Sequence, residues 1–331
     1  MKAFHVTAFG PLESHGLAEL PDPRPGPGEL LIQVACCDVN FPDILVVEGR
    51  YQVKPPLPFI PGKAAAGTIV AVGEGVTDRQ VGERVLAQVE YGAFTEQLVV
   101  KAALVQPIPE ALSFEQATAL GLVYQTAWFA LTDRAGLQPG ERVLVLGASG
   151  GVGMAALQLA KALGASQVLG GARGAEKLAL ARDLGADAVV DLAAEDLANS
   201  LRDQVRAVTD GAGVDAVIDP VGGAATQAAL RALAWRGRLV VIGFAAGEIP
   251  TIKANYLLVK NIAVSGLQWS DYRDRDPAWM ARAQEQIFAF AAAGQLDPHI
   301  AEVFPLAKAG TALARLRDGQ AAGKILLRTG A

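Results

Sequence analysis

The run Arg142-Val143-Leu144-Val145-Leu146-Gly147-Ala148-Ser149-Gly150-Gly151-Val152-Gly153 and the segment that follows it, to Arg173, decide the fold. Val143 to Leu146 are four consecutive apolar residues after a polar pair, enough for a buried parallel strand. Val152, Ala155, Ala156, Leu159, Ala160 and Leu163 then recur at helical spacing, and Gly164 stops the helix. A second apolar run, Val168 to Ala172, supplies the next strand. Strand, glycine turn, helix and strand in this order make the phosphate-binding half of a dinucleotide fold. The glycines let the backbone approach a pyrophosphate, whose charge sits against the free N–H groups of a helix N-terminus. The first glycine of the usual pattern is Ala148 here, so the motif reads A-x-G-x-x-G and its weight comes from the flanking strand and helix. An ordinary βα turn that binds no nucleotide is the competing reading.

About twenty residues past the last glycine, an NAD site shows an acid for the ribose 2′-hydroxyl. Arg173 stands there, followed by Lys177. Both cations attract a 2′-phosphate and can hydrogen-bond to it, where a carboxylate would repel it. The expected cofactor is therefore NADPH. The plainer alternative is a pair of solvated charges on one helix face.

Outward from this core, the 331 residues suggest two domains. A net charge of −5 argues against a general nucleic-acid or membrane binder. No apolar run reaches the about 18 residues of a membrane span. Met1-Lys2-Ala3-Phe4-His5 opens no signal peptide, so a soluble, cytoplasmic protein is expected. Cys36 and Cys37 are adjacent and close no useful loop, which fits a reducing compartment. His5, His15 and His299 are scattered, and no zinc-type cluster forms from sequence neighbours.

Residues 1 to about 120 read as short β-strands between Pro- and Gly-rich turns, such as Pro21 to Gly28 and Pro55 to Gly62. Between these turns lie Asn40 and Asp43, polar groups in an apolar setting, which are either cap formers or site residues. Ser113 to Ala130 reads as helical with Ser113 as N-cap. From Arg142 strands are expected at 143–147, 167–172, 188–191, 214–218, 238–243 and 262–267. Helices are expected at 151–163, 175–184, 195–208 and 222–235. That alternation means a doubly wound parallel sheet. Arg273-Asp274-Arg275-Asp276 reads as a solvated loop, Pro277 to Ala293 as a helix, and Lys324 to Arg328 as a strand returning to the first domain.

With these pieces in place, the chain resembles the medium-chain dehydrogenase/reductases, in their zinc-free quinone oxidoreductase (zeta-crystallin-like) branch. Val39-Asn40-Phe41-Pro42-Asp43, Pro58-Phe59-Ile60-Pro61-Gly62, Gly92-Ala93-Phe94-Thr95-Glu96, Gly147 to Gly153, Asp219-Pro220-Val221-Gly222-Gly223, Gly237 to Gly243 and Gly323-Lys324 carry the resemblance along essentially the whole chain. It implies an α/β protein: a GroES-like, β-rich substrate domain (1–122 and 268–331) and a Rossmann domain (123–267) binding NADP(H), with the active site in the cleft. It also implies a homodimer through the edge strand near Ile262 to Leu267. The superfamily's zinc enzymes carry a ligating Cys where this chain has Asn40, and a Gly-His-Glu where it has Gly62-Lys63-Ala64, so no metal is expected.

Residue by residue, the resemblance places Asn40 and Asp43 near the nicotinamide, Tyr51 facing the substrate and Thr126 near the cofactor. Ser149, Gly150, Gly151 and Val152 match the pyrophosphate turn, Lys177 a 2′-phosphate contact, and Gly243, Phe244 and Leu267 the nicotinamide end. Better-known members have Tyr, Glu and Arg where this chain has Leu45, Ala64 and Gly319, and Lys63 is left as an unassigned cation. The implied partner is a small conjugated carbonyl, with Asn40, Asp43 and Tyr51 as catalytic candidates. Tyr51 is either a donor to the carbonyl oxygen or a tyrosine packed over its loop. The implied reaction is reduction of a quinone. Reduction of a 2-enone or enoyl thioester is the alternative, and a non-catalytic NADPH-binding protein is the third reading.

Overall fold

The strand expected at 143–147 is Arg142–Leu146 in the computed structural model, which describes residues 1–330. It is the middle of a six-stranded parallel sheet in the order Ala188–Asp191, Gln167–Ala172, Arg142–Leu146, Val214–Asp219, Leu233–Val241, Ala263–Gly266. In chain order that is third, second, first, fourth, fifth, sixth, so the winding reverses beside the first strand. Val143, Leu144 and Val145 pair with Val168 to Gly170 on one side and Ala216 to Ile218 on the other, and all three are fully buried. A strand covered on both faces has no polar side to show, which is why it reads as an unbroken apolar run.

Helices Gly151–Ala162, Ala175–Asp183, Leu197–Val208 and Gly223–Ala232 make the crossovers. The fourth ends before the expected residue 235, because Leu233 already pairs with Val214 and opens the fifth strand. The register then shifts before Ala216, and Arg236, at φ 64°, donates its N–H to Asn261 O. An irregular strand start of this kind has no apolar period to announce it.

This unit comprises Val123–Trp269 with Gly294–Asp297. From sequence, residues 294–297 and 268–269 are expected in the other domain. Gln158 explains the short segment: its Nε2 donates to Asp297 O (2.8 Å) and its Oε1 accepts from Asp297 N (3.0 Å).

The second unit comprises Met1–Leu122, Ser270–Ala293 and residues 298–330. Its seven-stranded sheet runs Ile300–Pro305, Lys324–Arg328, Glu29–Val39, Ala64–Val72, Arg84–Gln88, Val105–Pro107, with Gln97–Lys101 also paired to Glu29–Val39. The C-terminal strand does return here: Ile325 to Arg328 pair antiparallel with Val39 to Cys36. Ser113 caps the helix Phe114–Ala119 as expected, accepting from Gln116 N at 3.1 Å, and a second helix, Leu122–Phe129, follows the break at Gly121. The expected charged loop is instead the helix Trp269–Arg275, and Arg273 is buried. In the first unit, Ala254–Lys260 is a further short helix that no apolar stripe signals.

Candidate active site

In the nucleotide-binding unit, the turn after Arg142–Leu146 leads into the helix Gly151–Ala162 with Gly150 at its N-cap. A Cβ on Gly153 would lie 2.1 Å from Gly147 O, so only glycine lets the helix pack this closely on the turn. The N–H groups of Gly151, Val152 and Gly153 have no acceptor within the helix, and no acid occupies its first turn. That leaves a site for an anion at the carboxyl end of the sheet. Ser149 is buried beside it, Gly150 is exposed, and Gly151 and Val152 are half-buried.

One strand over, Arg173 is exposed at the end of Gln167–Ala172. Gly174, at φ 87°, turns the chain into the helix Ala175–Asp183, which carries Lys177 half-buried. Beyond the fourth strand, Asp219 is fully buried: Oδ1 accepts from Val221 N and Gly222 N, and Oδ2 from Thr226 Oγ1. Ala245 N and Ala246 N donate to Pro220 O and Val221 O, zipping the loops after the fourth and fifth strands together. Gly243 and the exposed ring of Phe244 stand on this shelf. Leu267 is buried with its N–H on Val241 O, and Thr126 is buried in the helix Leu122–Phe129. Glycine cradle, free first-turn donors and two neighbouring cations fit a dinucleotide that carries a 2′-phosphate.

In the other unit, Asn40 ends the long strand in an extended conformation and begins the helix Phe41–Val47. Its N–H donates to Asp43 Oδ2 at 2.8 Å, and Asp43 N donates to Asn40 O at 3.0 Å. Both side chains are buried, and the Asn40 amide makes contacts beyond the cap. Its Oδ1 accepts from Lys324 Nζ at 2.5 Å, while its Nδ2 is buried with no partner among the described residues. An unmet donor of this kind costs about 1–3 kcal/mol, which a bound acceptor would recover.

Burial, with the charge of Asp38 added, pushes the Asp43 carboxyl up to about 7, against the pull of Lys63, the Asn40 N–H and Lys324. The native state therefore keeps a proton that the unfolded chain releases from its ordinary value of 3.8 upward. This group's contribution to stability is present at low pH and is lost as pH rises through about 7. Asp43→Asn should flatten the fall in stability between about pH 4 and 7, as read by urea unfolding of both proteins. Parallel pH profiles would contradict this.

Lys63 is 1% exposed, donates to Glu90 Oε1 (2.7 Å) and Glu90 O (3.0 Å), and lies 5.0 Å from the centroid of the Tyr51 ring. Glu90 also accepts from Ser270 Oγ at 2.6 Å and Arg273 Nη1 at 2.8 Å. The unassigned cation thus has a structural partner and a place against Tyr51. Asp38 and Glu90 carry no expectation from sequence, Lys324 enters there only through the Gly323-Lys324 landmark, and Arg273 only as part of an expected loop. A charge set against an apolar run, as at Asp38 after Ala35 to Cys37 and Lys324 before Ile325 to Leu327, is the available signal. Tyr124 is buried with its hydroxyl on Gln158 Oε1, and burial raises that phenol well above its usual range.

Two family models match the chain: "Alcohol dehydrogenase GroES-like domain" over residues 26–110 and "Zinc-binding dehydrogenase" over residues 151–284. The quinone oxidoreductase-like protein 2 homolog of Nematostella vectensis is 37% identical over 306 residues, covering 92% of this chain and 82% of that protein. This chain belongs to the medium-chain dehydrogenase/reductases, in their quinone oxidoreductase branch. A mycobacterial protein solved in complex with NADPH is similar over 99% of this chain and 100% of its own, at 32% identity and a TM-score of 0.91. Escherichia coli quinone oxidoreductase, also solved with NADPH, gives 29% identity, a TM-score of 0.91, and coverage of 99% and 100%. The two units are thus a GroES-like domain and a Rossmann domain.

One family model is named for zinc, and the donor set of this medium-chain reductase bears on that. Among the described residues, no group of three or more His, Cys, Asp or Glu is placed to hold a metal. Burial, with Glu115 nearby, pushes the Cys36 thiol up to about 12, and burial pushes Cys37 up as well. No helix among the described residues is long and apolar enough to cross a membrane.

Proposed function

We propose that this medium-chain reductase uses NADPH to reduce a quinone or related conjugated carbonyl, without zinc. The observation that carries the reading is the anion-ready turn at Gly150 to Val152 with Arg173, not an acid, at the end of the next strand. The NADPH-bound relatives support it. When bound, NADPH supplies a hydride that yields a hydroquinone from a quinone, or an enolate from a 2-enone attacked at its β-carbon.

The chain's own residues bind, orient and donate. Ser149, Gly150, Gly151 and Val152 hold the pyrophosphate, and Arg173 and Lys177 the 2′-phosphate. Thr126, Gly243, Phe244 and Leu267 line the nicotinamide end, and Asn40 and Asp43 steady it. Lys63 fixes the face of Tyr51, whose hydroxyl donates to the acceptor oxygen. Asn40 and Lys63 at the positions of the zinc enzymes' ligands, together with the buried thiols, support metal-independent chemistry.

Tyr51→Phe should lower kcat by about tenfold or more with little change in NADPH affinity. An unchanged kcat removes Tyr51 from the mechanism.

The acceptor class is tested by running a 1,4-quinone and a 2-enone side by side and analysing products. Hydroquinone formation without reduced enone supports the quinone reading. Reduction at the carbon–carbon bond makes the protein an alkene reductase. Turnover of neither, with NADPH still bound, leaves a binding protein.

The assembly we infer is a homodimer through the outer strand Ala263–Gly266, which pairs on one side only, beside exposed Leu258 and Val259. Light scattering should return twice the chain mass, and a single-chain mass would contradict it. Adjacent, unpaired Cys36 and Cys37 support a cytoplasmic location.

A further inference from the structure

Asp219 ends the strand Val214–Asp219, which pairs with the strand leading into the glycine turn, and it is fully buried. A carboxylate out of water is costly unless its oxygens are met. Here Oδ1 accepts from Val221 N at 2.9 Å and Gly222 N at 3.0 Å, and Oδ2 accepts from the hydroxyl of the fully buried Thr226. One oxygen curls the loop, and the other is anchored on the helix Gly223–Ala232. The loop's carbonyls are committed as well: Pro220 O accepts from Ala245 N at 3.1 Å and Val221 O from Ala246 N at 2.9 Å. Within that frame the half-buried Val221 side chain meets the glycine turn. A Cβ on Gly147 would lie 2.9 Å from Val221 Cγ2, so this methyl rests against the backbone of the turn. Gly147 is at φ 63°, and its O accepts from Gly150 N at 2.9 Å, at the cap of the helix whose first N–H groups are free.

We propose that Asp219 and Thr226 are positioning residues that hold Val221 against Gly147 and so keep the turn at Gly150 to Val152 shaped for the pyrophosphate of NADPH. This rests on the NADPH reading above, and every residue in it belongs to the nucleotide-binding unit. A carboxylate suits the task because one oxygen takes two backbone N–H groups while the second is fixed from seven residues further on. Without the Thr226 hydroxyl, the carboxylate can rotate, the loop shifts, and the turn loses the wall that sets its N–H groups.

The test is a cycle of Thr226→Val, Val221→Ala and the double variant, with Thr226→Ser as the conservative control. The probes are NADPH, adenosine 2′,5′-bisphosphate, which keeps a 5′-phosphate for the turn, and adenosine 2′-monophosphate, which has none. Thr226→Val is nearly isosteric and removes only the hydroxyl. It should weaken NADPH and the bisphosphate by about five- to tenfold each and leave the monophosphate unchanged. Thr226→Ser should bind all three as the unsubstituted protein does. Val221→Ala should reproduce the loss, and the double variant should fall no further.

An equal loss for all three probes, a loss for NADPH alone, no loss for any, or losses that add in the double variant overturns the proposal while the NADPH reading stands. Failure of the unsubstituted protein to bind NADPH sinks both. A measurement on that same protein is independent of variant folding. The Val221 methyl resonances of 13C-labelled protein should shift with the bisphosphate and not with the monophosphate, and no shift with the bisphosphate also overturns the proposal.

Discussion

Glu90→Ala is expected to lower the free energy of unfolding by about 3–5 kcal/mol, the scale for breaking a buried ion pair from one side. Its carboxylate is the shared acceptor of Lys63, Ser270 and Arg273, and the two cations are 1% and 5% exposed. Burial pushes the Glu90 carboxyl up, but the charge of Lys63 and the hydrogen bonds from Lys63, Ser270 and Arg273 outweigh it, and the net direction is down. Its contribution to stability is therefore present above the ordinary glutamate value of 4.5 and is lost as pH falls through the lowered native value. Removing the side chain leaves Lys63 on the Glu90 carbonyl oxygen and Arg273 on Asp274, with the buried Lys63 charge no longer offset by a carboxylate. Urea unfolding at neutral pH measures the effect. A change below about 1 kcal/mol, the scale of an exposed pair, would show that the cluster is solvated in solution.

Arg173→Glu is expected to cut the NADPH/NADH ratio of kcat/KM by about ten- to a hundredfold, the scale of one charge-assisted hydrogen bond with added repulsion. Arg173 is exposed at the end of its strand, and Gly174 starts the helix that brings Lys177 to the same end. A carboxylate there would repel a 2′-phosphate and could accept from a ribose hydroxyl instead. An unaltered ratio would mean that the 2′-phosphate is read elsewhere.

The Rossmann half is legible because its first strand is buried on both faces and so appears as an unbroken apolar run at Val143 to Leu146. The fifth strand started early because its register shift is a tertiary accommodation, not a local preference. Arg273 was misread for a related reason. Its neighbours in sequence are charged, while the carboxylate that buries it, Glu90, is 183 residues away. Lys324 and Asn40 are separated by 284 residues. Such pairs leave no periodic trace.

At Asn40 and Asp43 the structure shows the cap reading. The backbone bond to Asp43 is an ordinary cap device, yet the Asn40 amide reaches past the cap to Lys324 and leaves a buried donor unmet. Local sequence offers the cap. Only the returning C-terminal strand supplies the rest.

The most direct test of the account is NADPH oxidation by protein dialysed against a strong chelator, with a 1,4-quinone as acceptor and NADH run in parallel. Turnover that survives chelation, gains nothing from added zinc and favours NADPH over NADH is the predicted result. Turnover that disappears on chelation and returns with zinc would contradict it.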